Sequence, residues 1–453
     1  MLKRIATALW GKFESRDEVK KFGLLALIFG LIIGVYWGLR PMKDSIFGAI
    51  VGLEQWQPVA KWLSLVIVAP LVILYGKLID RYPRQQVFYV LTAIYGIAAL
   101  GFAFAFMHPT IGLPNQVADP SRLIGWAWYV YVESFGSLIV ALFWAFTTDI
   151  TDAESAKRGF PFIALFGQMG NIFGPYFLRA TRYGFSNSAP IVAIIAGLIF
   201  LTGILLWVFT KVIPKSQLVG YQAQHHEEKH TEPGLLEGLR LLVSQGYLMG
   251  IFLIISIYEV IVTVFDYNFK VMAKAVYPLE AQNAAYLADY AVWTGLVATG
   301  CILLGINNIQ RILGMRASLI LLPILVAVAV VMMWLNPTAI EVAFCIMVFS
   351  KAVNYALNQP TLKQLYIPTT KDTKYKAQAW IEMFGSRGSK AAGSGINMFR
   401  KVLVGNMGSA AGSAAFITMT TLASGSLIIA WLFVAVFVAK TYTHAIKNKQ
   451  VVC

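Results

Sequence analysis

Long apolar stretches recur along this 453-residue chain and leave little room for any other architecture. They fall near residues 22–49, 59–78, 86–106, 122–147, 160–180 and 189–212. A second set falls near 248–269, 285–305, 316–335, 338–360, 377–399 and 412–439. An α-helix needs about 20 residues to cross the hydrocarbon layer of a bilayer. Lipid offers a backbone no hydrogen-bond partners, so each stretch must satisfy its own N–H and C=O groups, which reads as helix rather than strand. The expected fold is an all-α polytopic membrane protein with twelve transmembrane helices. Composition agrees: 58% of residues are hydrophobic and 13% charged, against about 25% charged in soluble domains.

One long polar stretch, Pro214 to Gln245, separates two groups of six helices. The expected organisation is a cytoplasmic amphipathic lead-in at 1–21, an N-terminal six-helix bundle at 22–212, a cytoplasmic linker at 213–247, a C-terminal six-helix bundle at 248–440 and a cytoplasmic tail at 441–453. Basic residues at the N-terminus, Lys77/Arg81/Arg84, Lys157/Arg158, Arg311/Arg316, Lys371/Lys374/Lys376 and Lys440/Lys447/Lys449 then share one side. The opposite loops carry fewer, chiefly Lys61, Arg122, Arg179/Arg182 and Lys270/Lys274. Lys and Arg accumulate in cytoplasmic loops, so both termini are expected to be cytoplasmic. Six plus six helices around such a linker is the layout of the major facilitator fold. Gly76-Lys77-Leu78-Ile79-Asp80-Arg81-Tyr82-Pro83-Arg84 resembles that superfamily's G-x-L-x-D-R-x-G-R signature, with Asp80, Arg81 and Arg84 as a cytoplasmic gate.

Several other function classes are disfavoured. A net charge of +15 would suggest nucleic acid in a soluble chain, but here the basic residues mark topology, and no basic stripe is interleaved with exposed aromatics. The three cysteines, Cys301, Cys345 and Cys453, form no CxxC pair or disulfide framework. His225, His226 and His230 lie in a charged run read as a solvated linker, so no metal and no cofactor is expected. The Gly- and Ser-rich segment at Lys390 lacks the P-loop pattern and a preceding strand, which argues against an ATPase. A membrane-embedded transferase would need a surface cluster of His, Asp or Glu, which the five histidines do not form.

Lys43, Glu133, Glu259 and Lys390 lie in or at the ends of the apolar stretches. A charge at the bilayer centre costs roughly 2.5–3.5 kcal/mol on insertion scales, so it persists only facing a partner or a water-filled cavity. Two bases and two acids, divided between the halves, outline a path for a charged solute. Arg40 and Lys43 lie three residues apart on one helix face around Pro41, a pattern that suits a phosphate-bearing anion or cations snorkelling to headgroups. Arg387 and Lys390 sit among small residues that allow close approach. Glu133 and Glu259 are candidate substrate or gating acids, with packing ion pairs as the plain alternative. Tyr131, Tyr258 and Trp144 are candidates to stack on a base, and Lys351, Asn358 and Glu382 are further candidate cavity residues.

At these residues the chain resembles the bacterial and plastidic ATP/ADP translocases. The resemblance spans nearly the whole chain. It rests on Arg40-Pro41-Met42-Lys43-Asp44, Glu133-x-x-Gly136-Ser137, Phe143-Trp144-x-Phe146 and Glu154-Ser155-Ala156-Lys157-Arg158-Gly159-Phe160-Pro161. It continues through the Glu259 neighbourhood, Lys351-x3-Tyr355, Pro360-Thr361, Tyr366-Ile367-Pro368 and the Lys390 segment. The chain departs from the family pattern at Asn358-Gln359, at Ala377-Gln378 and at Ser389-Lys390-Ala391-Ala392. The resemblance implies that Lys43, Glu133, Glu259 and Lys390 serve nucleotide transport. It also implies exchange of ATP for ADP, or uptake of other nucleotides, by a non-enzymatic monomeric carrier in a bacterial inner membrane. In the expected arrangement Lys43 and Lys390, helped by Arg40 and Arg387, hold the polyphosphate. The alternatives are a proton-coupled symporter and an exchanger of another phosphorylated anion.

Overall fold

The computed structural model describes residues 13, 15–214, 218, 235–306, 308–370, 380–448 and 450–452; the side chains of residues 80, 153, 235–238, 308–311 and 382–384 also fall outside the description. Most of the expected lead-in and linker therefore lies outside the described residues, as do Lys371, Lys374 and Lys376.

The described residues are helical apart from short connections, and no strand occurs among them. Helix α1 (Arg16–Phe47) starts on Ser15, whose hydroxyl accepts the Glu18 N–H at 3.0 Å, with Asp17 and Glu18 in the positive first turn. It begins inside the expected lead-in, and Glu18 and Lys21 are already buried. A π turn, Gly48–Gly52, ends it, and Gly52 takes φ 110°, which only glycine adopts without strain. Then follow α2 (Leu53–Arg81), α3 (Arg84–Met107), α4 (Leu123–Asp149), α5 (Ala153–Phe177) and α6 (Ala189–Val212). Beyond the linker come α7 (Leu235–Ser244), α8 (Gly246–Val276), α9 (Glu280–Leu303), α10 (Asn308–Leu335) and α11 (Ile340–Val353). A π segment, Asn354–Asn358, joins α11 to α12 (Gln359–Gln364), and another, Ile381–Gly388, leads into α13 (Ser389–Met407) before α14 (Ser409–Asn448).

Nine stretches of the described residues are long and apolar enough to cross a membrane, the first of which, Arg16–Ile79, holds both α1 and α2. The spans expected near 160–180 and 377–399 fall on α5 and on the helix running from Ile381 to Met407. The glycines and polar side chains of these two dilute their apolarity. The all-α polytopic fold is thus the one adopted.

The chain divides into two compact units. The first comprises Met1–Leu53, Val66–Lys229 and Tyr277–Val292; the second comprises Glu54–Leu65, His230–Val276 and Trp293–Cys453. This differs from a cut at the linker by two segments, and polar contacts hold each in its unit. In the first unit the carboxylate of Glu280 accepts the Ser188 N–H at 2.9 Å and its hydroxyl at 2.7 Å. There Asn283 accepts from the Ser45 hydroxyl at 2.7 Å, and Arg179 pairs with Asp289 at 2.6 Å. In the second, Tyr267 donates to the Glu54 carbonyl, and Arg400 pairs with the Glu54 carboxylate at 2.9 Å.

Close helix packing in the first unit rests on glycine. On α1, Gly30 and Gly34 face Gly170 and Gly174 of α5; a Cβ on Gly170 would strike the Gly30 carbonyl, and one on Gly174 the Gly34 carbonyl. Small residues let backbones approach where lipid supplies no hydrophobic drive for association. The loop before α4 is organised by Arg122, only 9% exposed, whose guanidinium donates to the carbonyls of Ile50, Ile111, Gly112, Asn115 and Val117.

Candidate functional site

In the first unit, α1 and α4 bring Lys43 and Glu133 into a direct ion pair, Nζ donating to Oε1. The Lys43 side chain is 8% exposed and that of Glu133 37%, so the ammonium is sealed while its counter-ion can be reached. The Lys43 ammonium also lies 4.4 Å from the centroid of the buried Tyr129 ring, whose face attracts a cation. Arg40, one turn back, is half-buried and stacks over Trp37 at 4.5 Å. Pro41 is accommodated within α1, and the π turn at Gly48–Gly52 follows it.

The candidate aromatic residues differ in access. Tyr131 is 7% exposed, donates to the Tyr95 carbonyl at 3.0 Å and stacks on Trp128 with centroids 5.5 Å apart, so its ring is part of the core. Tyr258, in the second unit, is likewise buried, edge-on to Trp431. Trp144 is half-buried, with edge contacts to Phe29 and Phe160.

In the second unit, α8 and α13 pack closely: a Cβ on Gly393 would lie 2.9 Å from the Val260 carbonyl, and Asn397 donates to the Thr263 carbonyl at 3.4 Å. One turn before Gly393, Lys390 pairs with Glu259 at 3.6 Å, and Ser386 donates to the same carboxylate oxygen at 3.3 Å. Here the exposure is reversed, 50% for Lys390 and 15% for Glu259. Arg387 is half-buried at the end of the π segment. Glu382 lies in the same segment, but its side chain is outside the described residues.

A second cluster in this unit centres on the buried Asp266, whose carboxylate oxygens take Lys270 at 2.5 Å and Lys351 at 2.9 Å. Asn358 donates to the Asn354 side chain at 2.8 Å across the π turn, and both are buried. π-bulges are frequent at functional sites, and the three among the described residues begin or end within two to five residues of Lys43, Lys351 and Lys390.

Of the expected gate residues, Arg84 pairs with Asp149 at the end of α4 and donates to the Ala145 carbonyl at 2.6 Å. Arg81 lies 5.8 Å from the Tyr82 ring centroid. The Asp80 side chain is outside the described residues.

Sequence reading missed Asp149 and Tyr129 as partners of the expected cations Arg84 and Lys43, and Lys270 as a second cation on Asp266 beside Lys351. Their only signal was position: Asp149 closes the fourth span, Tyr129 lies one turn before Glu133, and Lys270 lies one turn after Asp266. The Glu154–Pro161 motif also gains a structural account. Asp152 caps α5 by accepting from the N–H groups of Glu154 and Ser155. Arg158 pairs with the buried Glu18 at 2.9 Å, and a Cβ on Gly159 would collide with Phe22. The motif therefore docks α5 on α1. Burial pushes the Asp152 carboxyl up, but the hydroxyl and N–H of Ser155 and the N–H of Glu154 outweigh it and hold it below its usual value.

Among solved structures, the nucleoside transporter NupG aligns with a TM-score of 0.64 at 13% identity, covering 93% of this chain and 99% of its own. The inward-open xylose transporter XylE from E. coli aligns at 0.56 and 15%, covering 89% and 94%. These likenesses show that the chain shares the fold of these two proteins. Two curated relatives span nearly the full length. The ADP,ATP carrier protein 1 of Rickettsia bellii (strain RML369-C) is 25% identical over 96% of both chains. Its counterpart in Rickettsia prowazekii (strain Madrid E) is 26% identical over 96% of this chain and 95% of its own. The family model described as TLC ATP/ADP transporter matches residues 2–340 and 332–442. The chain belongs to the TLC ATP/ADP transporter family.

Proposed function

We propose that this chain is a nucleotide carrier that exchanges ATP for ADP by alternating access, in a bacterial inner membrane and with both termini cytoplasmic. The reading is supported by the family and by relatives named as ADP,ATP carriers. The observation that carries it is that each unit holds a lysine–glutamate pair between its helices, with one partner shielded and the other accessible: Lys43 with Glu133, and Lys390 with Glu259.

A partly shielded ion pair adds little net stability, so two such pairs call for another role. An anionic ligand offers one. Substrate phosphate oxygens take the places of the two carboxylates on Lys43 and Lys390, with Arg40 and Arg387 adding guanidinium donors suited to phosphate. The released Glu133 and Glu259 turn to the ribose, the base or water. Trp144, the accessible aromatic of the three considered, is the stacking candidate. A ligand biases a conformational equilibrium only through differential contacts with its two states, and swapping internal ion pairs for ligand contacts supplies that difference. Without substrate the carboxylates return, no cation is left bare, and the empty carrier re-orients slowly, which favours exchange over net flux. The carrier acts as a monomer in this reading.

Reconstitution in liposomes tests it. Labelled ATP uptake is expected to require internal ADP and to be indifferent to an imposed pH gradient. Uptake driven by a pH gradient into empty vesicles would replace the exchanger with a proton symporter using Glu133 or Glu259.

A further inference from the structure

The first unit carries a groove of about 470 Å³ between α1, α5 and α6, remote in chemistry from the charged residues above. Every lining residue is apolar or glycine. Its floor is the glycine face already described, Gly30 and Gly34 against Gly170 and Gly174, and one wall is Leu198, Leu201 and Leu205 of α6. The glycines thus do two things at once: they bring α1 onto α5 and leave a furrow where side chains would otherwise stand.

Its extent and its end identify an occupant. Along α5 the lining runs from Phe166 to Leu178, about 18 Å at 1.5 Å per residue. That is close to half of a hydrocarbon layer roughly 30 Å thick, the depth of a single leaflet. The groove finishes at Phe177 and Leu178, the last residue of α5 and its C-cap, beside the short turn Ala180–Tyr183. At that end stand two arginines. Arg179 is taken by Asp289 at 2.6 Å. Arg182 is exposed, lies 4.3 Å from the Tyr176 ring centroid and 5.1 Å from that of Phe177, and has no carboxylate partner among the described residues. Phe177 both lines the groove and supports Arg182, so the apolar channel and the open cation are contiguous.

We propose that this groove is a binding site for one anionic phospholipid, its acyl chain lying along α5 and its phosphodiester on Arg182. A zwitterionic lipid fits the channel equally well but brings its own ammonium to a cationic mouth, so the charge on Arg182 selects against it. One basic residue at an anionic surface supplies a preference of roughly five-fold.

The full-length protein is incorporated in nanodiscs of phosphatidylglycerol and phosphatidylcholine in equal amounts, and the lipid retained after mild detergent extraction is counted by native mass spectrometry. The wild-type protein is expected to keep one phosphatidylglycerol in clear excess over phosphatidylcholine. Arg182→Gln is expected to abolish the excess while one lipid of either kind remains, and Leu201→Trp, which fills the channel, to remove the retained lipid. Equal retention of the two lipids by the wild-type protein would overturn the proposal. So would an excess of phosphatidylglycerol that survives both substitutions, since that would place the anionic lipid elsewhere.

Discussion

Replacing Glu133 with Gln separates charge from shape at the pair that matters most. The amide keeps the volume and one oxygen near Lys43 but removes the counter-charge from an ammonium only 8% exposed. Breaking a buried pair by removing one partner costs about 3–5 kcal/mol. Because the Glu133 side chain is 37% exposed, water weakens the pair, and a loss of about 2–3 kcal/mol is the better expectation. The reverse substitution, Lys43→Met, leaves a carboxylate that can rehydrate through its exposed side and is expected to cost about 1 kcal/mol. The two variants therefore differ in sign of effect on substrate. In wild-type protein an incoming phosphate must displace Glu133, whereas in Glu133→Gln the ammonium is unclaimed. The forfeited pair reappears as affinity, about 30–150-fold tighter ATP binding at 1.4 kcal/mol per decade. Exchange should nonetheless slow, because the more tightly held nucleotide is released more slowly on each passage. Thermal unfolding in detergent across an ATP titration reads both effects: Glu133→Gln melts below Lys43→Met without nucleotide and gains more from ATP than wild type. Equal melting of the two variants, with ATP affinity unchanged or weakened in Glu133→Gln, would refute the displacement argument.

Other outcomes follow from the geometry. Arg84→Ala removes both the Asp149 pair and the bond to the Ala145 carbonyl, whereas Asp149→Asn leaves the latter; Arg84→Ala should be the more destabilising in a thermal shift, by about 1 kcal/mol. Gly170→Ala places a methyl group against the Gly30 carbonyl and should lower stability by about 1–3 kcal/mol. Gly197→Ala, with open space at that position in its helix, should leave stability unchanged or raise it by up to about 1 kcal/mol. Because the Asp152 carboxyl is held below 3.8 by its cap hydrogen bonds, its contribution is complete above that pH and is lost as pH falls through the depressed value. The stability difference between wild type and Asp152→Ala, about 0.5–2 kcal/mol at neutral pH, should shrink only under such acid conditions in a pH series of melting curves.

The sequence was most informative where it was most costly. Lipid admits so few charges that Lys43, Glu133, Glu259 and Lys390 stood out without any alignment, and each proves to have one of the others as its partner within its own unit. Helix type was legible for the same reason, since apolar length is a local property. What stayed hidden depends on rotation and contact. Tyr131 lies two residues before Glu133, which on a helix turns it about 200° away and into the core against Trp128. Asp149 meets Arg84 across 65 positions of chain, a pairing that no local pattern encodes. The Glu154–Pro161 motif, which entered only as part of the family resemblance, is largely docking, because a cap, a buried ion pair and a packing glycine constrain a sequence as tightly as a ligand does. The contacts of Glu54 and Glu280 likewise arise from tertiary packing, so a division at the polar linker could not anticipate them.

Nucleotide affinity in variants of the two lysines tests the phosphate-binding role most directly. Isothermal titration of ATP, ADP, AMP and adenosine into wild-type protein and into Lys43→Gln, Lys390→Gln and the double variant compares the phosphate series on one fold. Affinity in the wild type should rise with phosphate number, and the double variant should bind ATP about as weakly as adenosine while melting as a folded protein. A double variant that still ranks ATP above adenosine as the wild type does would show that these lysines do not hold the phosphates.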